Sequence, residues 1–277
     1  MTSSMPDLRA VAEISAAAAA TDGVEPLDEA TWLALRHPEQ HEIDLVVTEH
    51  GFAVVLDGSL SVVVRPGSRR QGYAAALLDA VLPRHPGPLD AWSHGNHPGA
   101  AALAAHHGFD RVRDLWVMRR PARPAPAPHL PPGVTIRGYH PGDRDQLLRV
   151  NAAAFASHPE QGAMDSADLA ARMAEPWFDA DDLLVAVDPD GVLLGFHWTK
   201  VHSREVGEVY VVGVAPEGQG RGLGRLLTAE GLHHLAERGV DEVHLYVESD
   251  NAPAIAVYEK AGFTHTPADT HVMYARR

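Results

Sequence analysis

Cysteine is absent from the 277 residues, and that one absence removes disulfides, thiolate nucleophiles and Cys-ligated zinc together. Positive charge is scarce: 23 Lys and Arg stand against 37 Asp and Glu, for a net charge of -14. A surface of that sign does not attract phosphate backbones or anionic bilayers, so no nucleic-acid or membrane partner is expected. No uninterrupted apolar run approaches the roughly 20 residues that span a bilayer. The stretch SAAAAA near the start has no basic leader and is preceded by Glu13, so it is not read as a cleaved signal. What remains is an ordinary globular composition, 45% hydrophobic and 22% charged. The expectation is an unprocessed cytoplasmic monomer.

The length suits about two domains. Residues 119–133, RRPARPAPAPHLPPG, hold six prolines, which neither donate to a sheet ladder nor continue a helix. This stretch is therefore expected to link a domain at 1–118 to one at 134–277. The two parts repeat one order of features. In the second, GEVYVVGVAP leads to GQGRGLGRLLTAEGLHHLAERG, then EVHLYVESDN, then APAIAVYEKAGF. In the first, GSLSVVVRPGSRRQGYAAALLDAVL leads to LDAWSHGNHPGAAALAAHHGF. Each reads as strand, glycine-bearing turn, helix, strand, Asn-containing loop, short helix, Gly-Phe, which indicates a duplicated α/β unit. The β-branched run at 209–214 reads as a buried strand. Residues 223–238 carry Leu223, Leu226, Leu227, Leu232 and Leu235, a broad apolar surface fit to cover a sheet. The strand-helix-strand order implies parallel strands joined by a right-handed crossover.

Five glycines fall within residues 212–227, and three anion-binding designs compete for them. A Walker-type loop needs Lys-Ser/Thr after its glycines, whereas Gly224 is followed by Arg225 and Leu226. A dinucleotide fingerprint needs a small residue at Leu227 in one frame and at Arg225 in the other. The pattern Q/R-x-x-G-x-G/A fits as Gln219, Gly220, Arg221, Gly222, Leu223, Gly224. It fits the first half as well, as Arg69, Arg70, Gln71, Gly72, Tyr73, Ala74.

At these residues the chain resembles the GNAT acyltransferase superfamily, whose coenzyme A pyrophosphate turn has this form. The resemblance implies two tandem GNAT-type domains, each a mixed twisted sheet flanked by helices, with acetyl-CoA as co-substrate. Glycines at 222 and 224 would bring backbone N–H groups to the pyrophosphate, at the positive end of the following helix, with Arg221 and Arg225 adding charge. The segment ESDNAPAIAVYEKAGF is similar to the GNAT segment flanking the pantetheine. It implies cofactor contacts at Asn251, Ala252, Pro253, Ala254, Ile255 and Ala256, and a general acid at Tyr258. A phenol of ordinary pKa near 10 can protonate a thiolate whose thiol has a pKa near 8.5. In the first half the matching position is Leu103 or Ala104, neither able to transfer a proton. That half, with Val62, Val63 and Val64 before its turn, is expected to be a degenerate copy that binds acyl-CoA without acting on it.

The runs GEVYVVGVAPEGQGRGLGRLLT, HLYVESDN, NAAAFASHPEQG and GFHWTK further resemble the mycothiol synthase family of tandem GNAT enzymes from actinobacteria. This implies acetylation of the cysteinyl amine of cysteinyl-glucosaminyl-inositol. It also places the backbone of Val212, Gly213 and Val214 against the thioester, where an N–H would face the developing oxyanion. Glu208 would bind the substrate ammonium and take its proton, directly or through water. Tyr246, Lys200 and Glu160 would face the sugar and inositol hydroxyls, and Glu29 would reach them from the first domain. Each of these residues also admits an ordinary structural role, a solvated charge or a packed ring. Two alternatives stay open: a tandem GNAT acting on another small-molecule amine or an aminoglycoside, and an acyl-CoA-binding sensor. Eighteen histidines form no H-E-x-x-H, and neighbouring pairs fall on different helix faces, so no metal is expected.

Overall fold

The computed structural model describes residues 8–123, 127–156 and 159–277. They form two compact units. The first holds the described residues through Trp116 together with Glu248–Asp250 and Thr266–Arg277; the second holds those of Val117–Val247 with Asn251–His265.

In the first unit, helices α1 (Leu8–Asp22) and α2 (Glu29–Arg36) precede strands β1 (Ile43–Val47), β2 (Gly51–Leu56) and β3 (Ser59–Val64). Then come α3 (Tyr73–Val81), β4 (Leu89–Ser93), α4 (Pro98–His106) and β5 (Asp110–Pro121). Strand β2 shows how the sheet gains two cores. Its side chains alternate, so Phe52 and Val54 join Val11, Ile14 and Leu35 of α1 and α2, while Ala53 and Val55 join Leu77, Leu78 and Val81 of α3. Both faces are covered, which is why the strand reads as a continuous apolar run.

The second unit continues with β6 (Thr135–Gly138), α5 (Arg144–Ala154), the one-turn helix α6 (Pro159–Gly162), α7 (Ser166–Met173), β7 (Leu183–Val187), β8 (Leu193–Val201) and β9 (Val206–Val214). After these come α8 (Leu223–Glu237), β10 (Glu242–Glu248) and α9 (Ala252–Lys260). Strand order here is β10-β9-β8-β7-β6, with β9 and β10 parallel and the pairs β9–β8, β8–β7 and β7–β6 antiparallel. Helix α8 buries Leu223, Leu227, Gly231 and Leu235, one residue per turn on one face. Leu223 and Leu227 pack on Ala186 and Leu194. The opposite face of the sheet packs Phe196, Trp198 and Leu183 against Leu147 and Leu169 of α5 and α7. Each such fully buried side chain contributes roughly 1.5–3 kcal/mol.

Two features differ from the sequence reading. Strand β5 enters the stretch assigned to a connector: Arg119 pairs with Thr264, and the Ala122 N–H donates to the Asp241 carbonyl at 2.8 Å. The buried apolar pair Val117 and Met118 carries the strand up to Pro121. The last strand, β11 (Thr270–Arg276), pairs antiparallel with β4 and with the first-unit part of β5. It therefore belongs to the first unit, although it follows the whole second unit in sequence. Among the described residues, no helix is long and apolar enough to cross a membrane.

Candidate functional site

The two glycine turns have the same backbone. A short 3-10 turn, Pro66–Ser68 in the first unit and Pro216–Gly218 in the second, is followed by an extended residue, Arg69 (φ -68, ψ 157) and Gln219 (φ -67, ψ 157). A left-handed residue comes next, Arg70 at φ 59 and Gly220 at φ 72, then a left-handed N-cap, Gly72 at φ 87 and Gly222 at φ 75. Helices α3 and α8 start immediately after, so the N–H groups of Tyr73 and Ala74, or of Leu223, Gly224 and Arg225, stand in a first turn that offers them no intrahelical acceptor. With no Cβ at the N-cap, an anion can approach those donors closely. Arg221 and Arg225 are exposed beside this turn.

The surroundings of the two turns diverge. In the first unit a cavity of 530 Å³ is lined by Val62, Val63 and Val64, by Arg69, Arg70, Gly72, Tyr73 and Ala74, and by Leu103 and Ala104. Arg69 is committed to Asp22 by two hydrogen bonds of 2.7 and 2.6 Å. That guanidinium holds the Asp22 carboxyl below its ordinary range against the opposing effect of burial. Gln71 donates to the Gly67 carbonyl, and the Tyr73 ring stacks on His50. Leu103 and Ala104, the two sequence positions that match Tyr258, both line this cavity.

In the second unit, β9 is interrupted. Its pairing with β8 shifts register between Trp198 and Thr199, so that Trp198 faces Val211 and Thr199 faces Val209. Tyr210 is the extra residue, a β-bulge that bends and twists the strand. On the other edge, the parallel β9–β10 ladder registers Val206–Val209 against Glu242–Leu245, so its last pair, Leu245 with Val209, lies beside the bulge. Beyond it Val212, Gly213 and Val214 lead to the glycine turn. Gly213 is required sterically, because a Cβ there would stand 2.6 Å from the Phe196 ring.

A polar cluster sits where that ladder ends. Glu208 is 6% exposed and directly opposite Lys200 in the antiparallel register. His202 Nε2 lies 2.6 Å from Glu208 Oε2, and His244 Nε2 is 3.7 Å from the same oxygen. The His202 and His244 rings stack at 5.3 Å, and His244 meets Tyr246 edge-on at 5.4 Å. Burial holds His244 below the ordinary histidine range, against the Glu208 charge. Burial first and Glu208 second push the Tyr246 phenol up to about 12. The Lys200 ammonium lies 4.2 Å from the Trp177 ring centroid and 5.4 Å from that of Tyr210, a cation–π seat that fixes its direction. The ligand atoms of His202, Glu208 and His244 all lie within 4.8 Å of one another, a spacing that would also admit a divalent cation.

Tyr258 is on α9, edge-on to Phe263 at 5.9 Å, and burial raises its phenol above the ordinary value, so it stays protonated at neutral pH. Asn251 caps α9 with Oδ1, which accepts from the Ala254 N–H at 3.2 Å; Ala252 and Pro253 open the helix, and Ile255 and Ala256 follow. Glu29 is the exposed first residue of α2. Glu160 belongs to α6, and its side chain lies outside the described residues. The structure thus gathers Glu208, Lys200 and Tyr246 into one cluster, and it adds His202, His244, Trp177 and Tyr210, which sequence reasoning missed. Only His244 left a usable signal, since two residues before Tyr246 on a strand is the same face.

Comparison with known proteins gives the family and the fold. A model of the acetyltransferase (GNAT) family matches residues 149–263. The mycothiol acetyltransferase of Nocardioides sp. strain JS614 is 57% identical, covering 97% of both chains. That of Salinispora arenicola is 49% identical over 98% of this chain and 94% of its own. Among solved structures, a GCN5-related N-acetyltransferase from Sphaerobacter thermophilus superimposes with a TM-score of 0.70 at 25% identity, covering 99% of this chain and 93% of that one. A tandem GNAT protein from the clavulanic acid biosynthesis pathway shares the fold, with a TM-score of 0.73 at 20% identity over 99% and 96% of the two chains. With relatives this similar over nearly its whole length, the chain belongs to the mycothiol acetyltransferase family and is an N-acetyltransferase of the GNAT fold.

Proposed function

We propose that this chain transfers the acetyl group of acetyl-CoA to the cysteinyl amine of cysteinyl-glucosaminyl-inositol, the last step in making mycothiol. The observation that carries the chemistry is the buried Glu208 carboxylate at the end of the β9–β10 ladder, in the same unit as the protonated, half-buried Tyr258.

In this reading the turn from Gln219 to Arg225 holds the pyrophosphate, and Asn251 to Ala256 flank the pantetheine beside Val212, Gly213 and Val214. Glu208 binds the substrate ammonium and takes its proton, directly or through water. The amine attacks the thioester carbon, and a β9 backbone N–H stabilises the oxyanion. The C–S bond breaks, and Tyr258 protonates the thiolate. Lys200, held by its two aromatic neighbours, and Tyr246 bind the sugar and inositol hydroxyls with Glu160. Direct transfer is required because the chain offers no cysteine for a thioacyl intermediate. The reaction needs no metal, and the enzyme works as a cytoplasmic monomer.

The halves 1–118 and 134–277 are read as copies of one duplicated domain, on the strength of their matched turn dihedrals. The first copy holds acyl-CoA at Val62–Val64 and Arg69–Ala74 without acting on it. Substrate profiling tests the assignment. Acetyl-CoA-dependent acetylation of cysteinyl-glucosaminyl-inositol is expected to exceed that of aminoglycosides and free amino acids by about a hundredfold or more in kcat/KM, the discrimination of a site built to hydrogen-bond its substrate. Equal rates on unrelated amines would remove the substrate assignment, and acetyl-CoA binding with no transfer would favour a sensor.

A further inference from the structure

Amide formation from an ammonium leaves one proton over. The nitrogen of R–NH3+ gives up two protons when its bond to the acetyl carbon forms and the C–S bond breaks. One proton ends on the coenzyme A sulfur, passed by Tyr258, which is reprotonated; the other must reach solvent in every turnover. Glu208 is badly placed to release it, because its side chain is only 8% exposed and a buried carboxylic acid that cannot exchange with water stalls the next cycle.

We propose that His202 carries this surplus proton from Glu208 to solvent, acting as a relay residue that touches the base and not the substrate. The inference rests on the reading of Glu208 as proton acceptor. His202 Nε2 is 2.6 Å from Glu208 Oε2, and its side chain is 36% exposed against 8% for the carboxylate, so a single ring spans the distance from buried base to water. An imidazole can accept a proton on one nitrogen and release one from the other. Its position is built. The His202 N–H donates to the Val206 carbonyl at 2.9 Å, and in the same hairpin Ser203 Oγ donates to Glu205 and accepts from the Glu205 and Val206 N–H groups.

The neighbours are poorer carriers. His244 is nearer to contact than to bonding at 3.7 Å, is 7% exposed, and its Nδ1 is buried without a partner. Lys200 is seated over two rings as an ammonium, and a cation does not accept a proton. The Tyr246 phenol holds its proton too firmly to pass one at neutral pH.

The test is the multiple-turnover rate of the full chain at saturating acetyl-CoA and cysteinyl-glucosaminyl-inositol, because the relay resets Glu208 between cycles, with a rapidly mixed first turnover as the control that the reset does not limit. His202→Gln keeps a donor to Glu208 and loses the relay, whereas His202→Ala leaves room for added imidazole. Expected are a loss of about tenfold to a hundredfold in both variants, an acetyl-CoA affinity within about twofold of the parent, and recovery of His202→Ala in proportion to added imidazole, as for a displaced proton-transfer group. His244 from β10 stacks on this ring and itself feels Glu208, Arg119 and Glu242, so imidazole rescue rather than a pH profile is the deciding readout. A His202→Gln rate within about twofold of the parent, or a loss in His202→Ala that imidazole does not restore, overturns the relay. Glu208→Gln separates the two ideas: an undiminished rate rejects Glu208 as the acceptor, while an inactive Glu208→Gln beside an active His202→Gln rejects the relay alone.

Discussion

Arg70 and Gly220 hold one backbone conformation with two very different side chains. The first residue sits at φ 59 and the second at φ 72, and a non-glycine residue in that region costs of order 1 kcal/mol or more. A fold that keeps Arg70 there preserves the turn for its shape. What the first unit does not keep is the machinery around it. Its turn arginine is tied to Asp22, and Leu103 and Ala104 line the cavity where a tyrosine would stand. The second unit pairs the same turn with Tyr258 and with Glu208 at a broken ladder. In the function proposed above, cofactor shape and chemistry are thus separable: the turn supplies the former, and the interrupted strand and its partners supply the latter.

The largest way to sharpen this contrast is to remove the phenol oxygen from the second unit. Tyr258→Phe is expected to lower kcat by about a hundredfold or more while the dissociation constant of acetyl-CoA, measured by calorimetry, stays near that of the parent. Comparable losses in kcat and binding would make Tyr258 a packing residue beside Phe263.

Acid should load each unit through a different histidine. His197 is fully buried, its Nδ1–H donates to the Leu227 carbonyl, and burial lowers its pKa to about 4. The folded state therefore excludes a proton that the unfolded chain accepts below about pH 6.5, so stability falls as pH drops from there toward 4, by on the order of 3 kcal/mol. The first unit answers in the same window through His94, whose pKa burial also lowers, and at more acid pH through Asp22. Its lowered pKa contributes stability above the unfolded value of 3.8, lost as pH falls below it. Protection factors for hydrogen exchange in β8 and α8 should consequently fall between pH 6.5 and 4.5. His197→Gln should flatten that response, and an unchanged response would discount His197 as its source.

Smaller effects come from exchanging the turn residues. Gly220→Ala is expected to destabilise by about 1 kcal/mol, because a Cβ enters a left-handed position. Arg70→Gly should be neutral or stabilising by a few tenths of a kcal/mol, relief of strain being offset by unfolded-chain entropy. Chemical denaturation of the two variants checks the asymmetry, and equal losses would break it.

Much of this was legible in the sequence because it is local. The turn pattern fixed by Gly72 and Gly222, the apolar stripe of α8 and the strand at 209–214 depend on residues close along the chain. The Tyr210 bulge was not legible, since it exists only in the register between β8 and β9. Nor was the Glu208 cluster, which joins His202 from a hairpin to His244 from a strand beyond α8. The membership of β11 in the first unit depends on pairing with β4 and β5, far away in sequence, and the proline-rich stretch hid the strand that runs into it.

The central claim is that the second unit alone performs the transfer, and matched N-cap substitutions test it most directly. Gly72 and Gly222 are both left-handed, and an added Cβ meets no protein atom within 3.4 Å at either, so Gly72→Ala and Gly222→Ala carry similar strain. The measurement is kcat/KM for acetyl-CoA in acetylation of cysteinyl-glucosaminyl-inositol. Gly222→Ala should lower it by about tenfold or more as the Cβ blocks the pyrophosphate, while Gly72→Ala stays within about twofold. Equal losses, or a larger loss from Gly72→Ala, would contradict the assignment of catalysis to the second unit.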